Sequence, residues 1–271
     1  YYTHGYTFSP ILFPHSGFEN LRIVTEDKEV NILESHKKEL RDCFQQTRPF
    51  FSFLHYGEIH HGIVREVIRK YGDFDQEYFG SWQNNFNRYL EYARKASEYT
   101  RELVGLVDEL DLKKNTLLII TTDHGSGLGE KPGEKAYGIY TYDYSIRVWA
   151  YFIYPSLFPV GREYKIQVRS IDILPTILDL LSIPPSKRHK RIRGESLLKI
   201  TRGEESIDRL AFSETGGVEG PHPSPDKANV KCVRDGRWKL IYNTTTNKVE
   251  LYDIVTDPQE TDNLAAKNSQ M

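Results

Sequence analysis

A long amphipathic helix that leads at once into an unbroken apolar strand is the feature that most restricts the fold of this chain. Between Ser81 and Leu112 apolar side chains recur every three or four residues, which predicts a helix with one buried stripe. After a polar link, residues 116–122 form a β-branched and apolar run typical of a strand buried on both faces. A helix followed directly by such a strand is typical of a parallel sheet with crossover helices.

Further strands and helices are predicted on both sides of this pair. Residues 50–56 and 148–154 are apolar runs of strand length, residues 31–46 and 171–181 have helical patterns, and the rest of residues 1–48 resembles irregular surface. Residues 230–242 hold two strand-like runs around Asp235-Gly236, which indicates an antiparallel hairpin, and residues 250–253 add a strand. We therefore predict an α/β fold with a mostly parallel sheet flanked by helices in residues 1–200. Residues 201–271 are predicted to form a small antiparallel C-terminal subdomain.

Charge and hydropathy disfavour two classes of protein. The 271 residues include 36 Lys or Arg and 38 Asp or Glu, a formal net charge of −2, which argues against a general nucleic-acid binder. No run of about 18 uncharged apolar residues is present, so no membrane span is expected. The basic cluster at residues 187–193 fits a solvated loop best. Cys43 and Cys232 fit neither a disulfide framework nor a CxxC metal motif, and the sequence leaves compartment and oligomeric state open.

Asp123 and His124 stand where the apolar run 116–122 ends, and they are the first candidates for chemistry. In open α/β sheets, ligands bind in the crevice beyond the carboxyl ends of the strands. A carboxylate and an imidazole side by side suit a divalent cation, whose charge can polarise an anionic ester. Gly125 permits a sharp turn that lets the two side chains converge. The alternative is an Asp that caps the next turn beside a surface His.

Two other sets of residues could complete such a site. Residues 127–135 form a glycine-rich loop that carries Lys131 and Lys135, and cations beside a metal stabilise a bound oxyanion. His60 and His61 follow the strand at 50–56, and they would reach the same rim as Asp123 if the two strands are parallel. A histidine on that rim can act as a general acid toward a leaving alkoxide. A pair of histidines is about as often part of a polar loop.

Six segments, in the same order along the chain, resemble the sulfatases, a family within the alkaline phosphatase superfamily. The resemblance runs from about Arg48 to Ala266. The strand 49–55 with His60, and residues 122–125 with Gly129-Glu130, are similar to motifs of the family's site. The other similar segments are residues 142–148, 170–181, 194–198, and 234–242 with 250–264.

The resemblance implies hydrolysis of a sulfate ester on a sulfated small molecule or glycan. In the family, a formylglycine attacks sulfur beside a divalent ion, calcium or a similar metal. The resemblance implies that Asp123 and His124 hold this ion, with calcium favoured over magnesium or manganese. It also places Lys135 and Lys131 on the sulfate, and His60, rather than His61, toward the leaving oxygen.

The sequence departs from the family at the nucleophile. Neither Cys43 nor Cys232 lies in the Cys/Ser-Xaa-Pro-Xaa-Arg motif that is converted to formylglycine, and the twin acidic residues of the first metal motif are missing. Both motifs lie early in the family, so we expect them, and the formylglycine, upstream of Tyr1, and we expect this chain alone to be inactive. Two alternatives stay open: a phosphodiesterase or phosphonate monoester hydrolase of the same superfamily, and a non-catalytic homologue.

Overall fold

The computed structural model describes residues 1–8, 17–24, 31–63, 81–131, 140–216 and 228–266. The chain divides into two compact units, one of residues 1–117 with 128–133 and the other of residues 118–127 with 134–271. The boundary after residue 200 that the sequence predicts stays a prediction. In the described part of the chain, no helix is long and apolar enough to cross a membrane.

The first unit is built on a three-stranded parallel sheet with the order β2-β1-β3. Its core contains Tyr6, Phe8, Val24 and Ile32, with Tyr99 packed against them. This sheet confirms the predicted parallel pairing with flanking helices, and residues 58–63 are also helical. The elements are β1 (Tyr2–Thr7), β2 (Asn20–Ile23), α1 (Ile32–Phe44), β3 (Phe50–Leu54), α2 (Trp82–Glu109) and a 3₁₀ helix at Leu112–Lys114.

The central strand of this sheet lies in a region for which the sequence predicted irregular structure, so that prediction is wrong for β1 and β2. The strand Tyr2–Thr7 contains no apolar run, and the imidazole of His4 is buried within it. That imidazole lies 3.1 Å from the Ser52 hydroxyl through Nδ1 and 3.0 Å from the Glu39 carboxylate through Nε2. Partners supplied by β3 and α1 therefore make a polar residue acceptable inside the sheet.

The second unit contains a two-stranded and a four-stranded antiparallel sheet. Residues Val230, Cys232, Ile241, Tyr252 and Ile254 form its hydrophobic core. The four-stranded sheet confirms the predicted C-terminal antiparallel sheet. The elements are β4 (Leu118–Thr121), α3 (Asp143–Ile146), β5 (Ala150–Ile153), α4 (Ile173–Leu180), α5 (Leu198–Thr201), β6 (Ala211–Thr215), β7 (Val230–Arg234), β8 (Trp238–Asn243) and β9 (Lys248–Asp253), with 3₁₀ helices at Ser170–Asp172 and Pro185–Lys187.

The strands β4 and β5 differ from the prediction in direction and in burial. They pair antiparallel to each other, with Ile119 beside Phe152. Neither strand contains a fully buried residue, and Tyr151 is 62% exposed. An apolar run indicates a strand but does not encode the direction of its partner, and the burial on both faces that we predicted for residues 116–122 is wrong.

The predicted hairpin between β7 and β8 is present, but its turn is closed in a different way. The backbone N–H of Asp235 donates to the Trp238 carbonyl at 3.0 Å. The Asp235 carboxylate accepts from the backbone N–H groups of Arg237 at 2.7 Å and Trp238 at 2.5 Å. Neither Asp235 nor Gly236 has a positive φ, so the turn is not the mirror-image type that Asp-Gly favours. The aspartate side chain provides the closure instead.

Candidate metal-binding site

The two predicted metal ligands, Asp123 and His124, lie just after β4 in the sequence. The hydroxyl of Thr121, the last residue of the strand, donates to the Trp149 carbonyl at 2.8 Å. This bond ties the end of β4 to the segment that leads into β5. Asp123 and His124 follow two and three residues later, and both side chains are substantially exposed, at 71% and 46%. The loop therefore starts from a fixed strand end and presents two polar side chains to solvent.

The structure brings Asp123 and His124 together. Asp123 Oδ1 accepts the backbone N–H of His124 at 2.8 Å, and Oδ2 lies 3.8 Å from His124 Nε2. The Nδ1 atom of His124 lies 2.7 Å from the Gly125 carbonyl oxygen. Because a carbonyl can only accept, Nδ1 carries a proton in this arrangement, and in the neutral ring Nε2 then bears the lone pair. This is the tautomer in which an imidazole can coordinate a metal through Nε2.

The spacing of this pair fits a shared cation. Two ligands of one calcium ion, each about 2.3–2.6 Å from it, can be at most about 5 Å apart, and the 3.8 Å between Asp123 Oδ2 and His124 Nε2 is within that limit. Among the described residues, however, no group of three or more His, Cys, Asp or Glu could hold a metal ion. Asp123 and His124 would therefore supply two of the metal ligands, and other residues would supply the remaining ligands.

Gly125 fixes the path of the loop against α3. Its backbone N–H donates to the Ser145 carbonyl at 2.8 Å. A Cβ at this position would lie 1.9 Å from the Tyr144 carbonyl oxygen, a distance that no side chain can tolerate. The glycine is therefore required by the close approach of two backbones, and the position of His124 next to it depends on where α3 sits.

A buried ion cluster of Asp143, Arg234, Lys239 and Glu260 holds α3 in place. Lys239 Nζ lies 2.8 Å from Asp143 Oδ1 and 2.7 Å from Glu260 Oε1, and Glu260 Oε2 accepts the backbone N–H of Asp143 at 2.7 Å. Arg234 adds a second cation, with Nη2 at 3.1 Å from Asp143 Oδ2. Lys239 and Glu260 are almost completely buried. Side chains of the C-terminal segments therefore fix the first residue of α3.

The electrostatics of this cluster differ between its two carboxylates. Burial alone would raise the pKa of Asp143, but Lys239 and Arg234 outweigh it and hold the pKa below its ordinary value. Burial raises the pKa of Glu260 above its ordinary value, against the opposing effect of Lys239. Asp143 is thus the better-compensated anion, and Glu260 depends more on the single charge of Lys239.

The other predicted site residues belong to different parts of the structure. His60 lies in the helical residues 58–63 of the first unit and is exposed. Its neighbour His61 is buried, with its ring centroid 5.0 Å from that of Phe8. Lys131 follows Leu128, whose carbonyl accepts from the Asn85 side chain of α2 at 2.9 Å. Lys135 lies outside the described residues.

Neither cysteine fits the nucleophile of the family. Cys43 and Cys232 are both buried, at 1% and 4% exposure. Burial raises the pKa of each thiol to about 11. A buried and protonated thiol is a packing residue, not an exposed and reactive one.

Comparison with known proteins identifies the family. Residues 26–183 match the Sulfatase family, and residues 137–271 match the C-terminal region of N-sulphoglucosamine sulphohydrolase. The chain is 27% identical to arylsulfatase K of Gallus gallus over 170 residues, 61% of this chain and 31% of the relative. It is 24% identical to choline-sulfatase of Rhizobium meliloti over 195 residues, 70% of this chain and 36% of the relative. It therefore spans about a third of the length of these curated relatives.

A solved structure shares the fold. It is the structure of a protein in complex with its substrate D-glucosamine-2-N,6-O-disulfate. The two superpose with a TM-score of 0.69, covering 99% of this chain and 76% of that protein, at 15% sequence identity. The α/β fold with its C-terminal antiparallel sheet, together with a family match over more than half of the residues, defines the class of protein. The chain belongs to the sulfatase family of the alkaline phosphatase superfamily.

Proposed function

We propose that this chain supplies part of the metal site of a sulfate-ester hydrolase, with Asp123 and His124 as two ligands of one divalent ion. The observation that carries the proposal is their arrangement at the end of β4, with Asp123 Oδ2 and His124 Nε2 3.8 Å apart and the His124 tautomer set by the Gly125 carbonyl. Calcium is the favoured ion because the resemblance to the family implies it, and magnesium or manganese are the other candidates. When bound, such an ion would polarise the ester and offset charge that develops on its oxygens.

The roles of the remaining residues follow from the resemblance to the family. His60, exposed in the helical residues 58–63, is proposed to protonate the leaving oxygen. Lys135 and Lys131 are proposed to offset the charge of the sulfate. The attacking group is expected to be a formylglycine, and no step is assigned to it in this chain because neither Cys43 nor Cys232 fits that role.

The proposed substrate is a sulfated small molecule or glycan. The names of the relatives point to both kinds, since choline-sulfatase and arylsulfatase K are named for small esters, and the structural neighbour binds a disulfated glucosamine. Because the chain covers about a third of its curated relatives, the activity is proposed for the complete protein.

Calcium binding and ester hydrolysis, measured in single variants, test Asp123 and His124 as metal ligands. We expect calcium to raise the melting temperature of the complete protein, because a ligand that binds only the native state stabilises it. Asp123→Ala and His124→Ala should each abolish that increase and lower sulfate-ester hydrolysis by at least tenfold. Asp42→Ala and His189→Ala, which remove a half-exposed carboxylate and an exposed imidazole elsewhere, serve as matched controls. Equal calcium stabilisation in all four variants would contradict the assignment of the ligands.

The choice of ester separates the remaining alternatives. We expect the complete protein to hydrolyse an aryl sulfate faster than an aryl phosphodiester or phosphonate monoester. A strong preference for either phosphorus ester would overturn the proposed substrate class and leave the metal ligands in place. Calcium binding without hydrolysis of any of these esters would favour the non-catalytic homologue.

A further inference from the structure

A strongly cationic surface lies in the second unit, on residues outside the candidate metal site. Residues 185–203 contain seven Lys or Arg and one carboxylate, Glu195, whereas the whole chain has a net charge of −2. The cationic side chains of this basic surface are Lys187, Arg188, Lys190, Arg191, Arg193, Lys199 and Arg202.

The basic surface is held in place at both ends of its loop. Arg188 at one end pairs with Asp179 of α4, and its Nε donates to the Ile183 carbonyl at 2.9 Å. At the other end the backbone N–H of Glu195 donates to the buried carboxylate of Asp172 at 2.9 Å. Gly194 has a φ of +87°, and a Cβ there would lie 2.3 Å from the Ile171 carbonyl oxygen. The cations therefore sit on a loop of fixed path, so less conformational entropy is lost when a ligand binds.

Carboxylates act on only some cations of the basic surface: Asp179 interacts electrostatically with Arg202, and Glu205 with Lys199. Asp179 is paired with Arg188, and Glu195 lies 3.2 Å from Arg169 Nη2. Of the seven cations, Arg188 alone forms an ion pair with a carboxylate of the described residues. The other six, Lys187, Lys190, Arg191, Arg193, Lys199 and Arg202, are exposed.

An open cavity of about 650 Å³ adjoins this surface. Arg188, Lys199 and Arg202 line it, together with the carboxylates of Asp179, Glu195 and Glu204. The loop that carries Asp123 and His124 contributes no lining residue. The surface thus combines a concave site with cations that extend beyond it along residues 187–193.

We propose that the basic surface binds a sulfated polysaccharide, as a second site beside the one that hydrolyses the ester. The proposal rests on the proposed function, because a sulfate-ester hydrolase meets sulfated chains as substrates. Four exposed cations, Lys187, Lys190, Arg191 and Arg193, form no ion pair with a carboxylate of the described residues. They exceed what one sulfate of a small ester can engage, whereas a polymer with several sulfates can engage them together. Residues 185–203 contain no Phe, Tyr or Trp, and their one aromatic ring is the imidazole of His189, so they offer little for nucleic-acid bases to stack on.

Binding of labelled dextran sulfate to the complete protein tests this site. Exchange of four exposed cations, Lys187→Gln, Lys190→Gln, Arg191→Gln and Arg193→Gln, should weaken binding at least tenfold at about 50 mM salt. The slope of log K against log salt should fall by about 3, since each lost contact removes about 0.7. A control with Arg94→Gln, Lys95→Gln, Arg101→Gln and Lys114→Gln makes the same change of charge in the first unit and should bind as the parent does.

Three measurements separate the possible outcomes. Hydrolysis of a small aryl sulfate should keep its kcat and KM in the fourfold surface variant, while the KM for a sulfated polysaccharide substrate rises. Equal dextran sulfate binding in the surface variant and the control would overturn the proposal, as would equally tight binding of single-stranded DNA that depends on the same four cations. If the protein binds dextran sulfate through this surface but hydrolyses no sulfate ester, the proposed function fails and the binding site stands.

Discussion

Replacing Lys239 with Met tests whether the buried ion cluster supports the candidate metal site. Lys239 is fully buried, and its Nζ lies within 2.8 Å of both Asp143 Oδ1 and Glu260 Oε1. Methionine is a similarly long and unbranched side chain, so the substitution removes the charge and leaves little empty volume. Removing one partner of a buried ion pair typically costs about 3–5 kcal/mol, because the other charge is left without compensation. We expect Lys239→Met to lower the free energy of unfolding by this amount.

The two carboxylates should contribute unequally to that cost. Asp143 keeps Arg234 at 3.1 Å, whereas the pKa of Glu260 is already raised by burial, even with Lys239 present. Most of the penalty should therefore fall on Glu260. Glu260→Gln in the Lys239→Met background should recover about 1 kcal/mol or more, since a neutral amide needs no counter-charge.

Urea denaturation followed by circular dichroism, with and without calcium, measures both effects. The matched control is Lys114→Met, because Lys114 and Asp111 are both exposed and Lys114 Nζ lies 3.1 Å from Asp111 Oδ1. A pair of this kind should contribute less than about 1 kcal/mol. Equal losses for Lys239→Met and Lys114→Met would refute the energetic argument. An unchanged calcium affinity in Lys239→Met would refute the link from the ion cluster to Asp123 and His124.

Two other positions give separate tests. Gly125→Ala places a Cβ 1.9 Å from the Tyr144 carbonyl oxygen, so calcium affinity should fall at least tenfold, whereas Gly105→Ala, with nothing within 4 Å, should leave it unchanged. His36 is buried, and burial lowers its pKa to about 3. The unfolded chain therefore binds a proton that the native state does not, and stability should fall by up to about 2 kcal/mol between pH 6.5 and pH 5. His36→Gln should remove that part of the pH dependence in urea denaturation at the two pH values, and an identical loss in both proteins would contradict the assignment.

Local patterns predicted the elements whose own residues determine them. The apolar run at residues 50–56 contains β3, and the 81–112 stripe contains α2. The strand β1 was missed because the burial of its His4 depends on partners far along the chain. These partners are Ser52 and Glu39, which contact the His4 imidazole. The antiparallel direction of β4 and β5 was missed because both runs are apolar throughout, and such runs fit either direction.

The candidate site shows the same difference between local and distant information. Asp123, His124 and Gly125 are consecutive, so their residue types alone indicated a metal ligand pair with a turn. The residues that hold the turn in place are not close in sequence: Lys239 meets Asp143 across 96 residues, and Glu260 meets it across 117. Pairs at such separations leave no spacing pattern, and in the sequence these segments are recognisable only by their resemblance to a family.

The C-terminal sheet is therefore part of the support for the candidate site. Tyr142 and Ile146, which flank and end α3, pack against its core of Val230, Ile241 and Tyr252. Lys239 on β8 and Glu260 after β9 bind the first residue of α3, and α3 in turn receives the backbone N–H of Gly125 through Ser145. A change in the packing of β8 can thus reach His124 through three consecutive bonded steps without any contact to the metal ligands. For this reason, substitutions in the C-terminal sheet that lower stability should also lower calcium affinity, whereas exposed substitutions on the same strands should do neither.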